Sequence, residues 1–239
     1  MAQPIIEDRF GKIKSIDDVA NCFEDGSTVM FGGFGGVGSP PLIIETILKK
    51  GVKDLYLIGN DAGFPWIGVG KLVSANRVKK LIASHIGSNP VAGQLMNEGK
   101  MEIEFSPQGI LVERIRAGGV GLGGVLSDIG FGTVIEDGKK IITLNGDKYM
   151  LETPLRAEIG IIKAHQADPY GNLTYKASAR NTNPLVAKAC DLTIVQADEI
   201  VPLGELDPES VITPGVYVDM IITGKGGEWL WPWEIEEEN

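Results

Sequence analysis

The sequence predicts an α/β protein built on a mainly parallel, open sheet flanked by helices. Short apolar segments such as Thr28–Phe31 and Leu55–Ile58 alternate with amphipathic segments, which is typical of strands joined by crossover helices. A further observation is the segment 32–38, which holds five glycines in seven positions. This glycine loop stands between an apolar strand and a predicted helix, so the order is strand, loop, helix N-terminus.

The glycine loop, residues 32–38, is open to two interpretations. Glycines adopt positive φ and let a ligand approach the backbone, and Ser39 as a cap with Pro40 or Pro41 in the first turn predicts a helix N-terminus that favours an anion. A tight turn that packs the helix on the sheet explains the same residues equally well. No Gly-Lys-Ser/Thr is present, and Asp61 fits the ribose position of a dinucleotide fingerprint poorly.

The remaining elements follow from periodicity and from capping residues. Ser15, with Asp17 and Asp18 behind it, starts the first helix, and Gly51 ends the second. We expect the glycine-rich run 118–124 to be a mobile connection, because no strand precedes it. In chain order we predict helix 15–20, strand 28–31, helix 41–50, strand 55–58, helix 71–75, strand 81–84, helix 90–99, strand 102–105, helix 110–117, strand 159–164, strand 173–175, helix 185–189, strand 192–196 and a last core segment 216–223.

Two hairpin signals interrupt this rhythm. Asp137-Gly138 and Asn145-Gly146 are turn dipeptides, and they predict strands 131–136 and 140–144 followed by a return to residue 149. We expect one domain, residues 1–227, that carries this hairpin lobe at about 131–150. The tail 228–239 has tryptophans at 229, 231 and 233, which suit either an arm docked on another subunit or a disordered end.

Composition excludes several classes of function. The 239 residues are 43% hydrophobic with a net charge of −10, which disfavours nucleic acid and anionic membranes as partners. Two cysteines and the absence of a signal-peptide pattern favour a reducing, cytoplasmic location. The residue pattern predicts no metal site, and no apolar run approaches the ~20 residues of a membrane helix.

A longer pattern around the loop resembles a known family. Asp25-Gly26-x-x-Val29-Met30-Phe31-Gly32-Gly33-Phe34-x-x-x-Gly38-x-Pro40 is similar to the first signature of the family I CoA-transferases, which belongs to their alpha subunits. Further blocks that resemble the family, in its order, are Asn60-Asp61-Ala62-Gly63, Ser106-Pro107-Gln108-Gly109, the segment 113–119 and Ser178-Ala179-Arg180-Asn181. The resemblance spans roughly residues 15–223 and implies the CoA-transferase fold, which is like that of phosphosugar isomerases.

The resemblance also implies a chemistry. Family enzymes move CoA from an acyl-CoA to a short-chain acid, such as acetate, butyrate or acetoacetate, through a glutamyl-CoA thioester. The nucleophilic glutamate lies in Ser-Glu-Asn-Gly, which this sequence lacks, so it would come from the beta subunits of a heterotetramer of two alpha and two beta chains. CoA would be a substrate, with no tightly bound cofactor. The resemblance assigns Asn60 and Gln108 as amide donors to the substrate, and the CoA-associated loop as Gly32, Gly33, Phe34, Gly35, Gly36, Val37 and Gly38.

From residue types alone, several alternatives stay open. Asn60 and Gln108 could be plain loop amides, and His85 more often has a structural role. Arg180 could contact a CoA phosphate or another subunit, or form an internal ion pair. The acidic residues at 198, 199 and 205 are better explained by solvation than by acid/base catalysis. At the level of function, a non-catalytic scaffold chain and a phosphosugar isomerase or sensor of the same fold remain alternatives.

Overall fold

The computed structural model describes residues 6–224 and Trp229. The helices of this part are α1 (Ile16–Asn21), α2 (Pro41–Lys50), α3 (Gly70–Ser74), α4 (Pro90–Asn97), α5 (Gln108–Val120) and α6 (Asn183–Val186). Its strands are β1 (Thr28–Phe31), β2 (Leu55–Ile58), β3 (Val78–Ala83), β4 (Glu102–Phe105), β5 (Val125–Ser127), β6 (Ile141–Leu144), β7 (Asp147–Glu152), β8 (Ala157–Ala167), β9 (Leu173–Thr174), β10 (Cys190–Ile200) and β11 (Met220–Thr223).

The main sheet is the predicted parallel one. Its strand order is β11-β10-β8-β1-β2-β3-β4, with β9 added antiparallel to β8. In the centre, Met30 pairs with Ile58 on one side and with Gly160 on the other, both in parallel register. The chain runs outward from β1 to β4 and then crosses to β8. The sheet therefore has a topological switch point between β1 and β8, where open α/β sheets bind ligands at the carboxyl ends of the strands.

Two hydrophobic cores hold helices on the two faces of this sheet. One core joins Val29 to buried residues of α1 to α4, such as Ile43 and Leu72. The other joins Met30 to Leu111 of α5 and Val186 of α6. Because β1 is buried and its side chains alternate, Val29 and Met30 point to opposite faces. The result is three layers, helix, sheet and helix.

The predicted lobe exists, but its strands differ from the prediction. Asn145 and Gly146 both have positive φ, +53° and +94°, and join β6 to β7 as the hairpin that this dipeptide favours. The predicted strand 131–136 is wrong. That segment forms local turns, in which Thr133 Oγ1 donates to the Gly130 carbonyl. The third strand of the lobe is β5 instead, paired with β7.

The glycine-rich run 118–124 begins as helix, so the prediction of a loop there is wrong. Helix α5 continues to Val120 and ends at Gly121, which has φ +75°. A Cβ on Gly118 would lie 1.9 Å from the Leu155 carbonyl oxygen. The glycine therefore allows the helix to pack directly against the backbone before β8.

Two sequence expectations concern membranes and the tail. Within the described residues, no helix is both long and apolar enough to cross a bilayer. Trp231 and Trp233 lie outside the described residues. Trp229 lines a cavity of about 290 Å³ beside the glycine loop, with Lys163 and His165.

Candidate active site

The glycine loop follows β1 at the switch point, and its backbone is closed by contacts within the protein. Gly33 N–H donates to Asn181 Oδ1 at 3.0 Å, and Gly35 N–H donates to Asp61 Oδ2 at 2.9 Å. Phe34 and Val37 exchange two backbone hydrogen bonds of 3.0 Å. The loop is therefore a fixed turn that projects an exposed Phe34 side chain.

The start of α2 differs from the sequence prediction. Ser39 does not cap the helix, because its buried hydroxyl donates to the Gly32 carbonyl at 3.2 Å, and Pro40 stands at the cap position. The Leu42 N–H, in the first turn, donates to Gln196 Oε1 at 2.8 Å. A side chain of β10 thus takes a position that an anion could have occupied.

Close packing requires glycine at both ends of the loop. A Cβ on Gly32 would lie 1.8 Å from Asn183 Oδ1, and one on Gly38, at φ +79°, would lie 2.5 Å from the Ala179 carbonyl oxygen. Asn183 is fully buried, and its Nδ2 donates to the Gly38 and Ala179 carbonyls, both at 2.9 Å. Asn183 thereby ties the loop to the segment before α6.

The two predicted amide residues lie in direct contact. Asn60 follows β2 and is buried, while Gln108 begins α5 and is exposed. Gln108 Nε2 donates to Asn60 Oδ1 at 2.7 Å, and Asn60 Nδ2 donates to Asp61 Oδ2 at 2.8 Å. Because the Asp61 carboxylate only accepts hydrogen bonds, it sets the orientation of the Asn60 amide, which in turn sets that of Gln108. Each amide nitrogen keeps one further N–H.

Asp61 is the acceptor that organises this corner of the site. Besides the bonds from Asn60 and Gly35, its Oδ1 accepts the Gly63 N–H at 2.7 Å. The Asp61 side chain is buried. Its role is therefore to join the glycine loop to the amide pair, which the sequence alone did not reveal.

A cavity of about 710 Å³ opens over the amide pair. Its one carboxylate among the described lining residues is Glu113, whose Oε2 accepts hydrogen bonds of 2.8 and 2.6 Å from Arg116. The described lining is otherwise uncharged: Gly33, Phe34, Asn60, Gln108, Gly109, Ile110, Val112, Asn181, Thr182 and Leu185. The site thus combines amide donors with apolar walls, as small-molecule sites commonly do.

A second loop, which sequence reasoning missed, packs beside the first. Phe64 and Ile67 form the same antiparallel bridge as Phe34 and Val37, and a Cβ on Gly35 would lie 3.6 Å from Phe64 Cε2. The signal in the sequence was a repeated Phe-x-x-(Val/Ile)-Gly after β1 and after β2. Twin turns thus project from adjacent strands at the switch point.

The other titratable candidates have assigned contacts. His85 is exposed, its Nδ1 lies 3.5 Å from Ser84 Oγ, and its ring centroid lies 6.4 Å from that of Phe34. Burial opposes ionisation of Asp198, but hydrogen bonds and charges from Lys163 and His165 lower the pKa of that carboxyl below its usual value. The expectation of simple solvation at Asp198 is therefore wrong.

Arg180 contradicts one of the alternatives left open by the sequence. Its guanidinium is exposed, and the structure gives it no ion pair within the part of the chain that it describes. The internal ion pair is thus absent from residues 6–224. Arg180 instead lines a separate cavity next to the cleft.

Comparison with known proteins identifies the family. The model of the family described as Coenzyme A transferase matches residues 13–224. The chain belongs to the coenzyme A transferase family. The resemblance to the alpha subunits of family I is confirmed by two bacterial relatives, both alpha subunits themselves.

Both relatives match this CoA-transferase chain over most of their length. The alpha subunit of the probable coenzyme A transferase of Bacillus subtilis is 54% identical over 94% of this chain and 99% of its own length. The alpha subunit of the acetate CoA-transferase of Escherichia coli K12 is 50% identical over 90% and 97%. The enzyme class predicted from the sequence, one chain of a CoA-transferase, is therefore confirmed.

A solved structure confirms the fold. The acyl-CoA transferase of Escherichia coli O157:H7, solved as a thioester complex with CoA, superposes with a TM-score of 0.79 at 22% identity. The match covers 93% of this CoA-transferase chain and 49% of the solved one, so this chain spans about half of that enzyme's length. At this identity the similarity concerns the fold alone.

Proposed function

We propose that this chain is the alpha half of an enzyme that moves CoA from an acyl-CoA to a short-chain carboxylic acid of the acetate, butyrate or acetoacetate type. The name of the Escherichia coli K12 relative gives acetate as its acid, which supports this class. The apolar cleft walls formed by Phe34, Ile110, Val112 and Leu185 suit a short alkyl chain. The observation that carries the proposal is the Asp61-Asn60-Gln108 hydrogen-bond chain at the base of that cleft.

The proposed reaction exchanges thioester and carboxylate in balanced steps. A glutamate carboxylate attacks the acyl-CoA carbonyl, the C–S bond breaks and the CoA thiolate leaves, which gives an acyl-glutamyl anhydride. The thiolate then attacks the glutamyl carbonyl of the anhydride, and the first acid departs as its carboxylate. The glutamyl-CoA thioester so formed repeats these steps with the second acid. Covalent catalysis divides one difficult exchange into easier ones.

The amide pair has a specific task in this scheme. Each addition step places negative charge on a carbonyl oxygen, and the remaining N–H groups of Asn60 and Gln108 can donate to it. Because Asp61 fixes the Asn60 amide, these donors are held in place before the substrate arrives. Such a donor contributes on the order of 3 kcal/mol to the transition state in comparable sites.

The nucleophile in this proposal belongs to a beta subunit. Ser-Glu-Asn-Gly is absent from this sequence, and the one carboxylate among the described cleft residues, Glu113, is bound by Arg116. Two relatives are named as alpha subunits, which supports a beta partner, and we infer a heterotetramer of two alpha and two beta chains. The beta chains can also provide the cations that an anionic CoA needs beside a chain of net charge −10.

The test is the Gln108→Ala variant in the complex with the beta subunit. We expect kcat to fall about 100-fold, because one preorganised donor is lost. Gln94→Ala is the matched control, since Gln94 is a helical glutamine whose Nε2 donates to Glu98 at 2.8 Å, outside the cleft. Turnover of acyl-CoA plus free carboxylate is the measurement.

Two further results decide between the alternatives. Unchanged kcat in Gln108→Ala supports the scaffold function and contradicts a catalytic amide pair. In Glu113→Gln, turnover should persist, and mass spectrometry after acyl-CoA treatment should find the adduct on the beta subunit. An adduct on Glu113 would refute the proposed division of labour.

A further inference from the structure

A second cavity, of about 540 Å³, lies next to the cleft. Arg180 lines this cavity, whereas the next residue, Asn181, lines the cleft. Arg180 is the only charged side chain among the described residues that line it. The segment that carries Arg180 thus separates two adjoining cavities of different chemistry, one with amides and apolar walls and one with an unpaired cation.

The donors in this cavity lack partners. The structure gives the Arg180 guanidinium no hydrogen bond or ion pair within residues 6–224. Thr174 is 8% exposed, and its Oγ1 is a buried atom with no hydrogen-bond partner in the described structure. Gln166 Nε2 uses one N–H on Glu199 at 3.0 Å and keeps another. A buried hydroxyl without a partner is costly, so a ligand that accepts hydrogen bonds fits this place.

The chemistry of these groups selects an anion with several acceptor oxygens. A guanidinium offers five N–H donors and no acceptor, and it matches phosphate oxygens in pairs. The hydroxyl of Thr174 and the amide of Gln166 add neutral donors. A phosphate group fits this set because it carries negative charge and several acceptor oxygens.

Arg180 is also held rigidly against the glycine loop. It ends the short 3-10 turn Ala177–Arg180, which starts with a positive φ of +48° at Ala177. Asn181, the next residue, accepts the Gly33 N–H at 3.0 Å and donates to the Val37 carbonyl at 2.9 Å. An occupant of the Arg180 cavity therefore lies at a fixed position relative to the loop and the amide pair.

We propose that Arg180, Thr174 and Gln166 form a phosphate-binding subsite for the nucleotide end of CoA. This deepens the proposed function and rests on it, because it assumes that the thioester lies at Asn60 and Gln108. A CoA molecule bound in that way extends from the cleft across the segment 180–182, and its phosphates enter the adjoining cavity. The subsite supplies one of the cations that this acidic chain otherwise lacks near the cleft.

The test compares two ligands that differ in their phosphates. The complex with the beta subunit is titrated by calorimetry with CoA, with pantetheine, which lacks all the phosphates, and with inorganic pyrophosphate. Arg180→Met keeps the length of the side chain and removes its charge. It should weaken CoA about tenfold, as expected for a partly exposed charged hydrogen bond, and leave pantetheine unchanged. Lys53→Met is the matched control, because Lys53 is exposed just before β2 and so lies at the amino end of that strand, away from the cleft.

The remaining outcomes overturn the assignment in distinct ways. Equal weakening of CoA and pantetheine in Arg180→Met means that Arg180 acts through the glycine loop. Unchanged binding of both means that Arg180 contacts no phosphate. If wild-type protein binds pyrophosphate but does not prefer CoA over pantetheine, the cavity takes free phosphate only. Phosphate-dependent CoA binding without any acyl transfer would instead refute the proposed function and leave the subsite intact.

A second variant gives a readout that a structural role would not move. Thr174→Val removes the buried hydroxyl and keeps the shape of the side chain. It should weaken CoA severalfold without lowering the melting temperature, because it deletes a buried group that lacks a partner. Unchanged CoA affinity with a lower melting temperature would remove Thr174 from the subsite.

Discussion

Replacing Asp61 with asparagine tests whether one carboxylate organises both the glycine loop and the amide pair. Asp61 accepts three hydrogen bonds, from Asn60 Nδ2 at 2.8 Å, from Gly35 N at 2.9 Å and from Gly63 N at 2.7 Å. An asparagine has one oxygen, so its NH2 group must face either Gly63 or the pair formed by Gly35 and Asn60. In the less costly orientation it faces Gly63, and two donors then oppose each other in a buried place.

The magnitude follows from these contacts. Loss of the bond to Gly63 costs about 1–3 kcal/mol, because a buried donor is left without an acceptor. The two remaining bonds lose their charge assistance, and charge-assisted bonds are roughly twice as strong as neutral ones. We therefore expect Asp61→Asn to lower the free energy of unfolding by about 3 kcal/mol. For a chain of this size that corresponds to a fall of about 6–12 °C in melting temperature.

Two measurements check the reasoning, and Asp25→Asn is their control. Asp25 is exposed and its Oδ1 accepts one bond, from Lys53 N at 2.7 Å, which an asparagine oxygen retains. Calorimetry gives the melting temperatures, and hydrogen exchange of the segment 32–40 reports on the loop. We also expect kcat to fall about tenfold with KM little changed, because the Asn60 amide loses its fixed orientation. A melting temperature within about 2 °C of the control, by the same scaling, together with unchanged exchange, would refute the role of Asp61.

Two further predictions concern stability. Gly38→Ala should destabilise the fold by more than about 2 kcal/mol, because its Cβ would lie 2.5 Å from the Ala179 carbonyl oxygen. Gly51→Ala should cost only about 1 kcal/mol, since it has a similar φ of +82° but open space around it; equal losses in urea unfolding would contradict the packing argument. Burial raises the pKa of the Cys190 thiol to about 12, so its contribution to stability is complete below the unfolded value of about 8.5 and is lost as the pH rises above it. Unfolding free energies measured between about pH 8.5 and 11 should therefore fall less steeply in Cys190→Ser than in wild type, and parallel curves would refute this.

Local sequence signals were sufficient for most of the secondary structure. Apolar runs predicted the parallel strands, Ser15 and Gly51 marked helix ends, and Asn145-Gly146 predicted a hairpin. These signals work because they depend on the conformational preferences of neighbouring residues. The prediction failed at 131–136 and at 118–124, where tertiary contacts chose turns and helix instead, as at Gly118, which packs on the Leu155 carbonyl.

Residue patterns were enough to establish the α/β class, the family and the two amides, Asn60 and Gln108, each of which closely follows a strand. The folded chain was needed to learn what the glycine loop offers to a ligand. Its N–H groups and the first turn of α2 meet acceptors on Asn181 and Gln196, which are 148 and 154 residues away in the chain. A hydrogen bond between such distant residues has no local signature, because it depends on where the sheet places β10 and the segment before α6. The same reason explains why the unpaired Arg180 became visible only when the chain was folded.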